Sequence, residues 1–398
     1  MSNRIESFDS VRGIASMVVV IFHCLISFPL FHDSYYSNKH VSSFLELFTN
    51  TPLHLVWAGK EAVLLFFILS GFVLALPFLK ERPPAYASFA IKRFFRIYIP
   101  YIVVMAVSCI LLVLFAQYQP IESLSHTYNE RWNHPLDMKA LTSYLLMINY
   151  DLTNVNGVVW TLFHEMRISF VFPLIMLVVA RNSLFRSFTA LFVMIAIAYV
   201  GLGFLSNYAT TGLLSAFIFS VRESVYYMLF FALGAFLAKY KDVIAKSLQR
   251  APFPLKAGVL LLAISTVSGR WLYWFVDALP PFVLDVVSAA GILAMFSCIL
   301  SMKRLDRVLS GGVLMFLGKI SYSLYLVHIP VLMLVGSYAG RLLPLPVAFA
   351  FVPAVSVIAA AFVYKYVEQP AIWAGRSVAK HMDTKKRNFV RKEHSVHI

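Results

Sequence analysis

The amino-acid sequence predicts an all-α fold, a polytopic transmembrane helical bundle of about ten membrane-spanning helices with both termini cytoplasmic. Three observations carry this expectation. Of 398 residues, 60% are hydrophobic and 13% charged, whereas a soluble domain carries about 25% charged residues. A chain this apolar cannot cover its own surface with polar groups, so lipid must solvate much of it. The apolar residues fall in runs of about the 20 needed to cross a bilayer core as a helix. The basic residues between those runs collect on alternate loops.

The first run, 11–31, follows a weakly charged N-terminus. It has the position of a secretory signal, yet it contains Arg12 and His23 and ends without a small-residue cleavage pattern, so it reads as a retained helix. Further runs occupy 62–79, 97–117, 158–180, 187–205, 219–238, 257–275, 281–301, 317–338 and 344–364. Residues 141–150 are too short to span, and 212–221 reads as a re-entrant or interfacial piece. With the N-terminus inside, segments 1–12, 80–96, 181–186, 238–256, 302–310 and 365–398 hold 25 basic and 8 acidic residues, against 6 and 8 on the other side. That bias obeys the positive-inside rule and places both ends in the cytoplasm.

Residues 1–372 form one membrane domain without internal repeats, and the polar loops 32–61 and 118–157 face outward. Residues 373–398 form a basic cytoplasmic tail, whose Lys385, Lys386, Arg387, Arg391 and Lys392 suit contact with anionic lipid. The net charge of +15 raises the question of nucleic acid. Its distribution over short loops, with no long basic stripe, argues against such a partner. Cys24, Cys109 and Cys298 lie inside apolar runs without metal-like or redox spacing and read as buried structural thiols. No metal site and no bound cofactor is expected.

Ionisable residues inside membrane runs are costly and usually face a protein interior or wet cavity. Arg12 and His23 are eleven residues apart, so they share one helix face about 16 Å apart along the axis. Alone, Arg12 reads as a snorkelling anchor and His23 as an interhelical hydrogen-bonding group. Together they place a cation for a phosphate at the membrane surface and a base one pantetheine arm deeper. Glu165, in Trp160-Thr161-Leu162-Phe163-His164-Glu165-Met166-Arg167, enters from the outer side to near the depth of His23, where a carboxylate could orient the imidazole. A self-neutralising arrangement with His164 or Arg167 is the structural alternative, weakened because helix neighbours two apart or less do not face each other.

His328 lies in Ser321-Tyr322-Ser323-Leu324-Tyr325-Leu326-Val327-His328-Ile329-Pro330, about 13 Å beyond the edge marked by Lys319. Pro330 frees a backbone carbonyl there, which is tolerated where a helix lines a cavity. Ser70-Gly71 interrupts the second run, and such small residues ordinarily serve close helix packing. Ser70, Tyr325 and His328 are candidates for a pore or acceptor site. Arg93 and Arg96 open the third run as anchors, or as part of a phosphate rim with Arg12. Arg222, Glu223, Arg270 and Asp285 lie nearer the outer ends and receive no chemical role.

Arg12 and His23 within Ser-Val-Arg-Gly-Ile-Ala…Ile-Phe-His resemble the N-terminal signature of the acyltransferase 3 family, bacterial membrane O-acyltransferases that modify surface polysaccharides. Phe66-Phe67-Ile68-Leu69-Ser70-Gly71-Phe72, Lys92-Arg93-Phe94-Phe95-Arg96-Ile97-Tyr98-Ile99-Pro100, Trp160-Thr161-Leu162…Glu165, the Ser321–Pro330 segment and Glu368-Gln369-Pro370 follow in the family's order. The resemblance covers about residues 5–372. It implies transfer of an acyl group, usually acetyl, from cytoplasmic acyl-CoA as co-substrate to a hydroxyl of a carbohydrate acceptor, in a bacterial inner membrane. It makes His23 and Glu165 catalytic, with His23 a base or an acyl carrier, and gives Arg12, Arg93 and Arg96 to the acyl-CoA phosphates.

The sequence departs from the family in having Thr161 where Ser is commoner and in flanking Glu165 with His164 and Arg167. Some members also carry an extracytoplasmic esterase-like domain; none is seen in this sequence. Any handover is then expected within the membrane domain or with envelope glycan assembly proteins. The rival reading is a secondary transporter or flippase for a lipid-linked sugar or acyl donor, which ought to show paired halves with broken helices. No such symmetry is evident. A silent partner in an envelope-assembly complex is a third reading, and the acceptor glycan is left open.

Overall fold

The computed structural model describes residues 5–36, 42–208, 212–276 and 279–396, with side chains to residue 384. Among these residues there is no strand, and nine helices are long and apolar enough to cross a membrane. In chain order the principal helices are α1 Glu6–Ile26, α2 Gly59–Phe78, α3 Tyr86–Phe115, α4 Trp160–Arg181, α5 Leu184–Ser206, α6 Gly212–Arg250, α7 Phe253–Ser268, α8 Pro281–Ser301, α9 Gly312–Tyr338 and α10 Val352–Val363. A π turn, Tyr364–Glu368, joins α10 to α11, Gln369–Val396. The chain is thus an all-α polytopic bundle. Along α11, the basic side chains from Lys385 onward lie outside the described residues.

The expected run at 257–275 becomes α7, which has only 16 residues. That is about 24 Å of helix, short of the roughly 30 Å hydrocarbon core. Pro252 precedes it and Gly269, at φ +60°, ends it. The chain nevertheless changes face there. Lys239 of α6 donates to the Val179 and Asn182 carbonyls at the C-terminus of α4, at 2.6 Å each, and α6 runs on to Arg250 past that end. Just after α7, Arg270 donates to the Tyr35 carbonyl beyond the opposite end of α1. Residues 141–150 contain the end of a short helix, Met138–Leu145, and 212–221 are the first turns of the 39-residue α6 and not a separate piece.

The starts of α1 and α11 meet on one face. Ile5 and Asp9 line a cavity together with Gln369 and Arg376; this is the terminal face. The opposite, loop face is built from the short helices Pro29–Tyr36 and Ser43–Asn50, the turn Pro52–Trp57 and the segment 116–159. Trp57 is buried there against Phe22 and Ile26. Helix α1 ends in orphan carbonyls that need donors, and Ser125 supplies two, from its hydroxyl to Ile26 (2.7 Å) and its amide to Ser27 (2.7 Å). Helix α5 buries only Ser187 and Leu191 and turns Phe185, Ile197 and Val200 outward, as a lipid-facing helix should.

In lipid, helices associate through close packing of small residues rather than through burial of apolar surface. Two such contacts set the centre of the bundle. In the parallel pair α1 and α9, a Cβ on Gly13 would overlap the backbone of Gly318, and one on Gly318 would overlap the Asp9 carbonyl. Ser16 Oγ then donates across the seam to the Ser321 carbonyl at 3.0 Å. Between α2 and α6, a Cβ on Gly71 would overlap the Phe231 carbonyl and one on Gly234 the Ile68 carbonyl. Gly71 is therefore the close-packing residue expected of the Ser70-Gly71 pair.

Candidate active site

The α1–α9 seam carries one spacing twice. Gly13, Ser16 and His23 face Gly318, Ser321 and His328, each pair offset by the same interval, because the two helices run parallel and in register. Ten residues past the glycine contact, about 15 Å along each axis, the two imidazoles meet. His23 Nδ1 lies 2.9 Å from the Val19 carbonyl and 3.3 Å from His328 Nε2. His328 Nδ1 lies 3.2 Å from the Leu324 carbonyl. A carbonyl can only accept, so both rings carry their proton on Nδ1. His328 Nε2 then offers a lone pair towards the His23 Nδ1–H, and His23 Nε2 keeps its own lone pair. The rings' centroids are 5.1 Å apart.

Pro330 removes the amide that would bond the Leu326 carbonyl. Asn156 Nδ2 takes that carbonyl instead at 2.9 Å. The short helix Leu152–Asn156 is thereby tied to α9 about half a turn from His328. Tyr325, the residue before Leu326, donates to the Val158 carbonyl (3.1 Å) and accepts from Thr161 Oγ1 (3.0 Å). Thr161 thus does the local work of positioning Tyr325.

His23 lines a loop-face cavity of about 850 Å³ together with Trp160, Tyr227, Tyr325, Lys60, Glu61 and Asp285. Lys60 pairs with Asp285 at 2.7 Å, and Tyr226 donates to the same carboxylate at 2.6 Å. Arg131 also borders this cavity. Burial draws the Arg131 guanidinium below its ordinary pKa, opposed by Tyr128, Tyr36 and Glu130. Arg270 and Asp285, which the sequence left without a role, therefore belong to the wall of the cavity that holds His23.

A narrow inner cleft lies beneath it, lined by Arg12, Ser70, Arg96, Glu165, Ser321 and Tyr322. Val63 and Tyr325 line both spaces and form the partition between them. On its other side the cleft meets a terminal-face cavity of about 640 Å³, which Arg12 and Arg96 line along with Lys319, Arg376, Asp9 and Glu368. Arg12 is held by Ser321 Oγ (Nε, 2.8 Å), the Gly318 carbonyl (Nη2, 3.3 Å) and Asp9 (3.3 Å). The π turn places Glu368 inward, where it accepts from Ser323 at 2.7 Å.

The expected residues thus divide between compartments. Arg12 and Arg96 come together at the terminal side. Arg93 is buried behind them, 4.0 Å from Glu165, and lines none of these three spaces. Glu165 accepts from Ser70 at 3.2 Å and lies five residues, about 7.5 Å, past Trp160. It faces the arginines in the inner cleft, whereas the neighbour of His23 is His328. His164 and Arg167 turn away from Glu165 to the α6 serines: His164 Nδ1 meets Ser224 at 2.8 Å, and Arg167 donates to Ser220 at 2.7 Å. Glu368, Lys319, Arg376, Asn156 and Arg131 were not singled out as site residues from the sequence. The repeated Gly-x2-Ser-x6-His spacing was the available signal for the His23–His328 pair.

A family model for the acyltransferase domain, acyltransferase 3, matches residues 5–365. Neither the curated proteins nor the solved structures yielded a match. With its model spanning nearly the whole bundle, from α1 to the start of the π turn, the chain belongs to the acyltransferase 3 family and is a multi-pass membrane acyltransferase.

Proposed function

We propose that the protein is an O-acetyltransferase of a bacterial inner membrane, which takes its acyl group from acyl-CoA on the cytoplasmic, terminal side and delivers it to a carbohydrate hydroxyl on the loop side. The observation that carries this reading is the series of spaces along the α1–α9 seam. A cationic cavity at one face leads through the Arg12–Arg96 cleft to a partition, and beyond the partition is a histidine with an unused lone pair. Arg12, Arg96, Lys319 and Arg376 outnumber Asp9 and Glu368 in the terminal cavity, which suits the phosphates of a coenzyme A moiety. The roughly 16 Å from Arg12 to His23 suits the length of a pantetheine arm.

His23 Nε2 is the basic atom. Its Nδ1–H is committed to Val19 and His328, so proton uptake at Nε2 gives an imidazolium whose charge those acceptors share. The acceptor hydroxyl loses its proton to Nε2 as its oxygen attacks the thioester carbonyl. The C–S bond then breaks, and the proton passes to the departing thiolate. Attack by Nε2 itself, forming and then losing an acyl-imidazole, uses the same lone pair. Aromatic Trp160, Tyr227 and Tyr325 beside Asp285, Glu61 and Lys60 are the mixture of ring faces and hydrogen-bonding groups that suits a sugar. Purified protein incubated with radiolabelled acetyl-CoA and candidate glycans tests the reading. Label transfer that disappears in His23→Ala upholds it, and solute uptake into vesicles without transfer would favour a transporter.

A further inference from the structure

A second loop-face cavity, of about 510 Å³, lies outside the compartments described so far. Its wall is the segment that follows α3, closed against the end of α9. Asn129 pins that segment, accepting from the Ile121 amide (2.9 Å) and donating to the Ile121 and Leu124 carbonyls (3.0 and 3.1 Å). Tyr128 rests on Gly336 of α9, where any Cβ would overlap its hydroxyl. Tyr118 and Trp132, both in the wall, hold φ of +52°. That left-handed conformation costs about 1–3 kcal/mol for a residue other than glycine and clusters at ligand sites.

The lining is Gln117, Gln119, Asn133, Tyr118, Trp132 and two arginines, Arg131 and Arg341, with apolar floor residues and no carboxylate. Arg341 donates to the neutral amide oxygen of Gln117, and Arg131 to the Thr127 carbonyl at 2.7 Å. Neither guanidinium forms an ion pair with a carboxylate among the described residues, and Glu130 acts on Arg131 only through its more distant charge. Glu130, the acid beside Arg131 in sequence, pairs with His126 instead. Trp132 Nε1 and Arg131 Nε are buried without any hydrogen-bond partner, although buried donors are ordinarily satisfied. In the His23 cavity, by contrast, Lys60 is matched by Asp285. Arg131 lines both spaces, so the second cavity is a neighbour of the first across that side chain.

We propose that this cavity is a second acceptor subsite, which binds an anionic sugar unit of a glycan chain while a neighbouring unit is presented to His23. The inference rests on the carbohydrate-acyltransferase reading above and deepens it, making the acceptor an acidic oligomer rather than a small neutral glycoside. Amides and aromatic faces recognise the sugar, and paired guanidinium groups recognise a carboxylate or phosphate on it.

Full-length protein in lipid nanodiscs tests this by calorimetric titration with hexagalacturonate, phosphorylated maltohexaose and unmodified maltohexaose. One or both anionic hexamers bind, and the one that binds identifies the anion as carboxylate or phosphate. Arg341→Gln weakens that binding by about tenfold, the effect of losing one hydrogen bond to a charged group. Trp132→Phe, which removes the indole donor and part of the ring but keeps an aromatic face, weakens it too and serves should Arg341→Gln fail to fold. Equal affinity for the neutral hexamer, no binding of any hexamer, or binding indifferent to both substitutions overturns the subsite. His23→Ala abolishes acetyl transfer yet keeps Arg341-dependent binding. If the unaltered protein binds the anionic hexamer through Arg341 but transfers acetyl to no acceptor, the acyltransfer reading fails and the anionic-glycan site stands.

Discussion

In the proposed reaction, the division of labour between the two nitrogens of His23 decides the chemistry. Nδ1–H is directed at Val19 and His328, leaving Nε2 as the only basic atom of that ring. His23→Ala should therefore abolish transfer while the protein still inserts and elutes as a folded species; retained activity would sink the assignment. His328 touches the ring rather than the substrate and acts as a positioning residue. His328→Ala should lower kcat by about tenfold, the effect of one hydrogen bond, with KM for acyl-CoA unmoved. His328→Gln, whose amide oxygen can accept the same proton, should recover part of the loss, and a changed KM without a changed kcat would refute the positioning role. Arg96 faces the terminal cavity, so Arg96→Glu should raise KM for acyl-CoA by about tenfold or more. An unchanged KM would reduce it to an anchor.

At the scale of elements, α9 depends on a substitution of one donor for another. Pro330 deprives the Leu326 carbonyl of its amide, and Asn156 replaces it at 2.9 Å. Asn156→Leu should destabilise the protein by about 1–3 kcal/mol, the cost of an unsatisfied buried polar group, read as a lower midpoint in thermal unfolding. In a Pro330→Ala background the backbone amide returns, and the same substitution should cost less; equal costs in both backgrounds would contradict the account. The expected helices were legible because apolar runs of membrane length have few other fates. Helix α7 is shorter than its apolar run because Gly269 ends it while the sequence stays apolar beyond. The polar half of α6 lay past the run because hydropathy reports burial in lipid, and a helix can continue into water.

The candidate site was legible in its residues more than in its grouping. Arg12, His23 and Arg96 stand out because a charge inside an apolar run is expensive. Which compartment Glu165 faces depends on the rotation and depth of α4 against α2, which the α2 contact to Ser70 reveals and local sequence does not encode. Arg131 carries no signal in the sequence, because an arginine in a polar loop is ordinary and only the fold buries it.

At the scale of the whole molecule, the arginine cleft that meets the terminal cavity and the charge-balanced, aromatic loop-face cavity are divided by Val63 and Tyr325. Tyr325 is held shut by Thr161 and Val158. Tyr325→Ala should widen the partition and admit water to the thioester, raising acetyl-CoA hydrolysis without acceptor relative to transfer; an unchanged ratio would show that the partition is no barrier. The central claim is that donor and acceptor meet His23 from opposite faces, and sealed vesicles of uniform orientation test it most directly. Radiolabelled acetyl-CoA is supplied only at the terminal face and the glycan acceptor only at the loop face. The account predicts label on the glycan with the unaltered protein and none with His23→Ala. Transfer that requires both substrates on the same side, or that survives the loss of His23, would contradict it.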